Sequence, residues 1–526
     1  MTPRFSPAAR RAAVILPLLA LALRCWDVGN PVIHVDEQWY LLVGDRLLHG
    51  AVPFVDLWDR KPVGLFLLFA GIRVLGGADA EGGIVAYQLV ACAFAAATAV
   101  VVAAAARAVG ARERGALAAG AAYLLGLTLL GGRGGQAPVF YDLPVALAGL
   151  LALGLPALAA AERRGAIVAS GLAACALGGV AIQLKYTAAV EAAFAGLAHL
   201  WFLRRAGARW PATAGAGATW LLLGLAPTVA AGAWYGAHGW WAAWRFANFT
   251  SIALRPGYPP DQLAMRLLGI GAQLAPLGVA AALGWRQRTA RALRVAFGWL
   301  AAALLGFAAI GTWFDHYALP LLAPLAVCAA PALGRSMRLL VAALGLMAAV
   351  AGAERVAAHD DGTGARAVAA LVARESGGHC PYVFMGDTIT YLLAHACTPT
   401  PYAFPNLLAY TTEQGATGID EAAEVRRVLA TRPPVIVTVD RRLAIWNRDS
   451  LAALKAALRR DYRLRLSVPR AGWHTLVFVR QDLGPRLRRG QAASSVGAMP
   501  RRPGACESCG GSPPAASAPQ PLHLVL

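Results

Sequence analysis

The sequence predicts a polytopic α-helical membrane protein that carries a small C-terminal α/β domain. Of its 526 residues, 58% are hydrophobic, and the mean hydropathy is +0.53. Apolar runs long enough to cross ~30 Å of hydrocarbon recur along the first two thirds of the chain. We divide the chain into a transmembrane domain (1–354), an extracytoplasmic α/β domain (355–483) and a tail (484–526). The low-complexity Arg, Pro, Ser and Ala composition of the tail predicts disorder.

The hydropathy pattern predicts about eleven membrane spans. Residues 1–25 have the basic start and apolar core of a signal peptide, but no small-x-small cleavage site follows, which indicates a retained first helix. Residues 62–76 are apolar, yet as a helix they would reach only ~22 Å. The predicted spans are 12–25, 83–106, 116–131, 142–161, 166–184, 188–203, 212–236, 265–284, 295–311, 318–333 and 339–354.

The placement of arginine decides whether 62–76 crosses the membrane. If it does not cross, five arginine-containing loops share a side with the basic N-terminus; if it does cross, all five are exported. The positive-inside rule favours the first arrangement. The five loops contain Arg107/Arg112/Arg114, Arg163/Arg164, Arg204/Arg205/Arg209, Arg286/Arg288/Arg291/Arg294 and Arg335/Arg338. We therefore expect a plasma (inner) membrane protein with a cytoplasmic N-terminus, a juxtamembrane or re-entrant 62–76 helix and an extracytoplasmic C-terminal domain.

The formal net charge of +20 does not indicate a nucleic-acid partner. A nucleic-acid-binding surface gathers its basic residues on one face, whereas these arginines are spread over short loops between spans. Their distribution is that of a membrane topology signal, and the expected surroundings are membrane lipids.

The C-terminal domain combines predicted strands at 382–385, 435–439 and 476–479 with four predicted helices. The helices lie near 363–375, 388–396, 420–430 and 450–460. Gly386-Asp387 follows the first strand without a glycine-rich phosphate fingerprint, so no nucleotide site is indicated. Cys380 and Cys397 would form a disulfide in an oxidising compartment, the alternative being two buried thiols. Cys506 and Cys509 have no second ligand pair nearby and do not indicate a zinc site.

The first polar loop, residues 34–61, holds the most informative candidates for chemistry. Asp36 and Glu37 stand together at the start of a helical pattern that continues through Tyr40. A carboxylate at a membrane interface can accept a proton from an acceptor hydroxyl, which is the general-base role in glycosyl transfer. The alternative is a solvated helix N-terminus, where acidic residues are favoured by the helix dipole.

Two lysines are further candidates. The chain has three lysines, Lys61, Lys185 and Lys455, against 45 arginines. Lys61 directly precedes the short apolar helix, and Lys185 lies at the predicted extracytoplasmic end of a span. Lysine binds phosphate well as a compact point charge. The alternative for Lys185 is a side chain that snorkels to the membrane interface.

Four more candidates lie on the same predicted face. Asp142 stands where an outer loop enters a span, and Arg133 could pair with it or with a phosphate. His316 and Tyr317 stand at the outer end of a later span. A place in the interfacial aromatic belt would also explain Tyr317.

Taken together, these motifs resemble those of the GT-C glycosyltransferases. The set comprises Asp-Glu-x-x-Tyr at 36–40, Gly-x-x-Pro-Phe-x-Asp at 50–56, Lys61-Pro62 opening an apolar helix, Asp142, Lys-Tyr-Thr at 185–187 and His-Tyr-Ala-Leu-Pro at 316–320. The most similar branch contains the protein O-mannosyltransferases, the aminoarabinose transferase of lipid A and the RgtA/B/C/D-like transferases. Two departures are Val63 in place of a second proline and the distance of Arg133 from Asp142.

This resemblance implies a polyprenyl-phosphate-linked sugar donor and an inverting transfer outside the membrane, with Asp36 as the base. The acceptor would be an envelope lipid, polysaccharide or protein. No cofactor is required, and a divalent metal is optional but not indicated. By the same resemblance Asp142 joins Asp36 as a catalytic candidate, while the substrate-binding set is Glu37, Tyr40, Lys61, Arg133, Lys185, His316 and Tyr317.

Two other functional classes remain open. A transporter or lipid flippase predicts inverted repeats and charges near the membrane midplane. The sequence has no evident internal repeat, and its candidate charges gather at one face. A non-catalytic membrane scaffold would tolerate Asp36→Asn and Lys61→Ala without loss of function. Which sugar is moved, and to which acceptor, does not follow from the sequence.

Overall fold

The computed structural model describes residues 7–286, 290–357, 360–441, 444–470 and 472–483. The predicted disordered tail and the Cys506/Cys509 pair lie outside these residues. The membrane part contains α1 (Pro7–Arg24), α2 (Val35–Leu48), α3 (Val63–Leu75), α4 (Ala80–Ala108), α5 (Glu113–Leu129), α6 (Ala137–Ala160), α7 (Arg164–Leu184), α8 (Ala189–Arg205), α9 (Trp210–Ala237), α10 (Trp241–Arg245), α11 (Ser251–Ala253), α12 (Pro260–Trp285), α13 (Arg291–Ile310), α14 (Leu322–Arg335) and α15 (Met337–Ala357).

Nine helices among the described residues are long and apolar enough to span a membrane. The other two of the eleven predicted spans are α1 and α5. Helix α1 has 18 residues but carries three arginines, and α5 has 17 residues. Helix α5 is largely buried in the bundle, while α1 buries one face against it, where the side chain of Leu16 on α1 lies against Gly120 on α5. The helical membrane architecture predicted from hydropathy is confirmed.

The C-terminal domain is built on a four-stranded mixed sheet. Its strands are β1 (Tyr382–Val383), β2 (Val435–Val439), β3 (Tyr462–Arg470) and β4 (Trp473–Arg480), in the spatial order β1-β2-β4-β3. Its helices are α16 (Thr363–Ser376), α17 (Ile389–Leu393), α18 (Asn406–Ala409), α19 (Glu421–Ala430) and α20 (Arg448–Asp461). β1 pairs with β2 in parallel, while the other two pairings are antiparallel.

Strand β3, which was not among the predicted strands, pairs with β4 at the edge of the sheet. Leu464, Leu466 and Val468 alternate along it with Arg463, Arg465 and Ser467. This period-two pattern is typical of a half-buried strand, but its arginines broke up the apolar run that we used to recognise strands. The predicted disulfide is confirmed, since Cys380 and Cys397 are bonded to each other.

Residues on both sides of α3 contact the C-terminal domain. Ahead of α3, the Gln38 amide donates to Asp387 (3.2 Å) and the Trp58 amide N–H donates to the Pro401 carbonyl (2.9 Å). After α3, Glu81 forms an ion pair with Arg366 (2.7 Å). Both ends of α3 therefore meet the C-terminal domain on one face of the bundle. With 13 residues, α3 reaches only roughly 20 Å.

Helices α2 and α3 pack closely and fix the loop between them. A Cβ at Gly44 would lie 2.7 Å from the backbone of Phe69 and Ala70, so only glycine permits this approach. Buried Arg73 on α3 forms an ion pair with Asp45 on α2 (3.0 Å). Within the loop, the Asp56 carboxylate accepts from the Val52 N–H (2.7 Å) and closes a turn. The loop that carries Lys61 is thus held at both ends.

Candidate active site

Four segments converge at the end of the bundle that faces the C-terminal domain. The first turn of α2 brings Asp36, and the residues before α3 bring Lys61. Lys185 lies between α7 and a 3-10 turn at Tyr186–Ala188, and His316 lies in a 3-10 helix at Asp315–Leu321. These side chains are widely separated in sequence, yet their charges lie close enough to act on one another.

Asp36 is the carboxylate at the centre of this cluster. Its side chain is 16% exposed, and its Oδ2 lies 3.7 Å from Nε2 of His316. Burial alone would raise the pKa of Asp36, but the nearby Lys61, His34, His316 and Lys185 hold it below its ordinary value. Asp36 is therefore ionised at neutral pH and retains an unprotonated carboxylate oxygen.

His34, which was not a predicted site residue, orients Asp36. It is the N-cap of α2, and its Nδ1 accepts from the Asp36 N–H (3.3 Å). The Gln136 amide lies 2.5 Å from the same nitrogen, and the rings of His34 and His316 are 5.0 Å apart. Burial lowers the pKa of His34, so the ring is neutral. The sequence signal that could have identified His34 is its position two residues before Asp36, at the start of a predicted helix.

Lys61 stands beside Asp36 as a permanently charged group. Its Nζ lies 3.8 Å from Asp59 Oδ1 and 5.4 Å from the ring centroid of Tyr40. Burial alone would lower the pKa of Lys61, but Asp59, Tyr40 and Asp36 raise it well above its ordinary value. The buried Tyr40 ring forms the floor beneath the ammonium group.

Lys185 connects the cluster to Asp142. Its Nζ lies 4.3 Å from the ring centroid of Tyr317, and it interacts electrostatically with Lys61, Asp36 and Asp142. Asp142 is 2% exposed and accepts a hydrogen bond from Tyr123 (3.0 Å). The structure therefore brings Asp142 to the lysine end of the cluster, behind Lys185, rather than beside the carboxylate of Asp36.

Arg133 pairs with a carboxylate other than Asp142, and its predicted contact with a phosphate stays a prediction. Its guanidinium group forms an ion pair with Asp27 (3.7 Å) instead of Asp142, and Arg355 binds the same carboxylate (3.0 Å). Arg24 donates to the carbonyls of Gly132 and Gly134 (2.8 and 2.6 Å) and braces the same loop. These arginines hold the α5–α6 loop in place and lie outside the Asp36 cluster.

Glu37 lies under the α5–α6 loop, and its predicted contact with a substrate stays a prediction. Its side chain is fully buried, and Oε1 accepts a hydrogen bond from Tyr87 (3.2 Å). A Cβ at Gly134 would overlap the Glu37 carboxyl group, so the α5–α6 loop closes directly over it. Burial raises the pKa of Glu37 to about 8, and the group is mostly neutral at pH 7.

We expect Glu37→Gln to become increasingly more stable than the wild type as the pH rises. The folded-state pKa of about 8 lies above the ordinary value of 4.5, so wild-type stability falls as the pH rises from about 5 to about 8. The glutamine variant keeps an acceptor for Tyr87 without this proton linkage. Thermal unfolding in detergent at several pH values measures the difference. Parallel curves for the two proteins would show that Glu37 is not protonated in the folded state.

Two further arginines, neither of them a predicted site residue, join the site to the C-terminal domain. Arg60 and Arg255 each form an ion pair of 2.6 Å with Glu413, and all three side chains are largely buried. Arg60 also donates to the Ser251 hydroxyl (3.2 Å). The signal for Arg60 was its position next to Lys61, and that for Arg255 was its position between two predicted spans.

The described residues contain no group of three or more His, Cys, Asp or Glu side chains arranged to hold a metal ion. That no cofactor or metal is required stays a prediction. The cluster itself offers an ionised carboxylate opposite two lysines, which suits proton abstraction beside an anionic leaving group.

No protein-family model and no curated protein matches the chain. Several solved structures, however, are similar to the chain. Apo ArnT from Cupriavidus metallidurans has a TM-score of 0.57 at 16% identity, over 91% of this chain and 100% of that one. ArnT from the same organism bound to undecaprenyl phosphate has a TM-score of 0.58 at 15% identity, over 90% of this chain and 99% of that one.

A third similar structure is the Archaeoglobus fulgidus oligosaccharyltransferase tethered with an acceptor peptide. Its TM-score is 0.51 at 12% identity, over 82% of this chain and 69% of that one. At such identities the similarity establishes the fold, and it extends through both the membrane part and the C-terminal domain. The chain therefore has the same overall fold as ArnT.

Proposed function

We propose that this protein is a membrane glycosyltransferase that moves a sugar from a polyprenyl-phosphate donor to an acceptor on the extracytoplasmic face. The observation that carries the proposal is the cluster in which ionised Asp36 faces Lys61 and Lys185 at one end of the bundle. The fold supports it, since ArnT has this fold and was solved with undecaprenyl phosphate bound.

In the proposed reaction, an acceptor hydroxyl attacks the anomeric carbon of the donor sugar. Asp36 takes the proton of that hydroxyl as the new glycosidic bond forms. The bond between the anomeric carbon and the phosphate oxygen breaks, and its electron pair leaves with the polyprenyl phosphate. Attack from the side opposite the leaving group inverts the anomeric configuration. No metal or other cofactor takes part in this scheme.

The positively charged side chains of Lys61 and Lys185 lie on the leaving-group side of the site. Lys61 binds the donor phosphate, and Lys185 supports it, because fixed positive charge stabilises the negative charge that develops there. Tyr40 lies beneath Lys61, and Tyr317 beneath Lys185, so each aromatic ring holds its ammonium group in position. His316 lies next to the Asp36 carboxylate on the acceptor side, and Asp142 positions Lys185.

We further propose that the C-terminal domain and the cluster face the outside of the plasma (inner) membrane. The support is the arginine-rich loops at the other end of the bundle, where Arg114 donates to the Gly334 carbonyl (2.5 Å) and Arg164 to the Ala206 carbonyl (2.7 Å). Reporter fusions after residues 209 and 400 should report the cytoplasmic and the outer side, respectively. If both fusions report one side, this orientation is wrong.

A deletion strain tests the function directly. We expect it to accumulate one polyprenyl-phosphate sugar and to lose one glycoside from an envelope lipid, polysaccharide or protein. Purified protein in liposomes should release free polyprenyl phosphate and form that glycoside in equal amounts. Movement of the intact lipid-linked sugar across the bilayer, without product, would instead identify a flippase.

A further inference from the structure

A large groove opens at the end of the bundle opposite the Asp36 cluster. Its volume is about 1190 Å³, and it lies among the ends of α6, α8, α9 and α13. Its apolar wall includes Phe194, Leu197 and Leu200, and Leu197 is 65% exposed. Helix α8 is apolar enough to span a membrane, so an exposed leucine on this helix faces lipid chains.

Four arginines surround the mouth of this groove. They are Arg204 and Arg205 at the end of α8 and Arg291 and Arg294 at the start of α13. Among the residues that the structure describes, none of the four has a carboxylate within salt-bridge distance. Arg204 donates to the Ala208 carbonyl, which is neutral and leaves the charge of the arginine uncompensated. The N-termini of α9 and α13 open at the same end and favour negative charge there.

Two tryptophans hold the arginines of α8 in place. The guanidinium carbon of Arg204 lies 4.4 Å from the ring centroid of Trp210, and that of Arg205 lies 5.1 Å from the ring of Trp201. Both tryptophans are more than half exposed, at 70% and 59%. Tryptophan at this depth marks the level of lipid headgroups, where an aromatic ring meets both chains and water.

We propose that this groove binds an anionic phospholipid, with its phosphate between the four arginines and its acyl chains along α8. Basic pockets between membrane helices on the cytoplasmic side recognise lipid headgroups by this combination of charge and apolar surface. A zwitterionic lipid would add a cation to a site that already carries four unpaired positive charges. A soluble anion would leave the apolar wall unused.

The groove is distinct from the proposed donor site. Helix α8 starts beside the Tyr186–Ala188 turn that follows Lys185 and ends at Arg205, 17 residues later and roughly 25 Å away. A lipid phosphate among the arginines therefore reaches neither Lys61 nor Asp36. Its binding would fasten the ends of α8, α9 and α13 together on the cytoplasmic side of the bundle.

Native mass spectrometry of the purified full-length protein tests this site. Dioleoyl-phosphatidylglycerol and dioleoyl-phosphatidylcholine, which share their acyl chains, are added at equal concentrations. We expect the wild type to retain phosphatidylglycerol over phosphatidylcholine by at least about tenfold. The combined variant Arg204→Gln, Arg205→Gln, Arg291→Gln, Arg294→Gln should lose this preference. A wild type without the preference would overturn the proposal.

Two further variants separate a bound lipid from general charge and from misfolding. Replacing Arg107, Arg112, Arg335 and Arg338 with glutamine removes the same charge from the same end of the bundle, outside the groove, and should leave the preference intact. Ala214→Trp fills the groove while all four arginines remain, and should displace the lipid. Equal loss in the control variant, or full retention in Ala214→Trp, would show that no specific site exists there.

Discussion

Asp36→Asn should abolish sugar transfer while leaving the donor bound. Asparagine keeps the shape of the side chain and can still contact His316, but it cannot take a proton from the acceptor hydroxyl. Loss of a general base lowers kcat by roughly 10²–10⁴-fold. Donor affinity should stay the same or rise slightly, because Lys61 and Lys185 lose a competing negative charge. A transfer assay with saturating donor and a separate donor-binding measurement determine the two effects.

The matched control is Asp261→Asn, which removes an exposed carboxylate from the first turn of α12 and should keep wild-type transfer. Near-normal turnover in Asp36→Asn would show that Asp36 only stabilises the start of α2. Asp142 would then be the better candidate for the base, and the acceptor would have to approach from the side of Lys185.

Lys61→Ala should act mainly on donor binding. The variant removes a charged contact to the phosphate, which is worth about 2 kcal/mol, or roughly thirtyfold in the dissociation constant of the donor. It also leaves Asp59 and Asp36 facing the phosphate without their nearest cation, so the affinity loss should shrink at high salt. Titration of a polyprenyl-phosphate donor at low and high salt measures both effects.

Lys455→Ala is the control for this variant, since Lys455 lies exposed on α20 in the C-terminal domain. It should bind the donor as the wild type does. Lys61→Arg keeps the charge but is longer and planar, and it should recover only part of the affinity. Unchanged donor binding in Lys61→Ala, with the protein folded, would exclude Lys61 as the phosphate ligand.

Features that depend on local pattern could be predicted from the sequence. Apolar length predicted the membrane helices, because this property is carried by each segment itself. Asp36 and Lys61 were assigned to one site because both belong to the polar stretch 34–61. The predicted disulfide followed from two cysteines in one small domain.

Features that depend on distant partners could not be predicted in this way. Asp36 and Glu37 are consecutive on α2, about 100° apart around the helix, and one faces the cluster while the other is buried under Gly134. Both are carboxylates, so no hydrophobic pattern distinguishes them. Arg133 was placed near Asp142 by its position in the chain, but its partner Asp27 follows the first helix, far away in sequence.

The bridge from Glu413 to Arg60 and Arg255 bears on how freely the C-terminal domain can be exchanged. One carboxylate of the soluble part balances two guanidinium groups of the membrane part, next to the lysine that we assign to the donor phosphate. A substituted C-terminal domain without an acid at this position would leave Arg60 and Arg255 without their carboxylate partner beside the leaving group. The released lipid phosphate would then be held too tightly. A chimeric protein built on this scaffold must therefore keep an acidic residue at the position of Glu413.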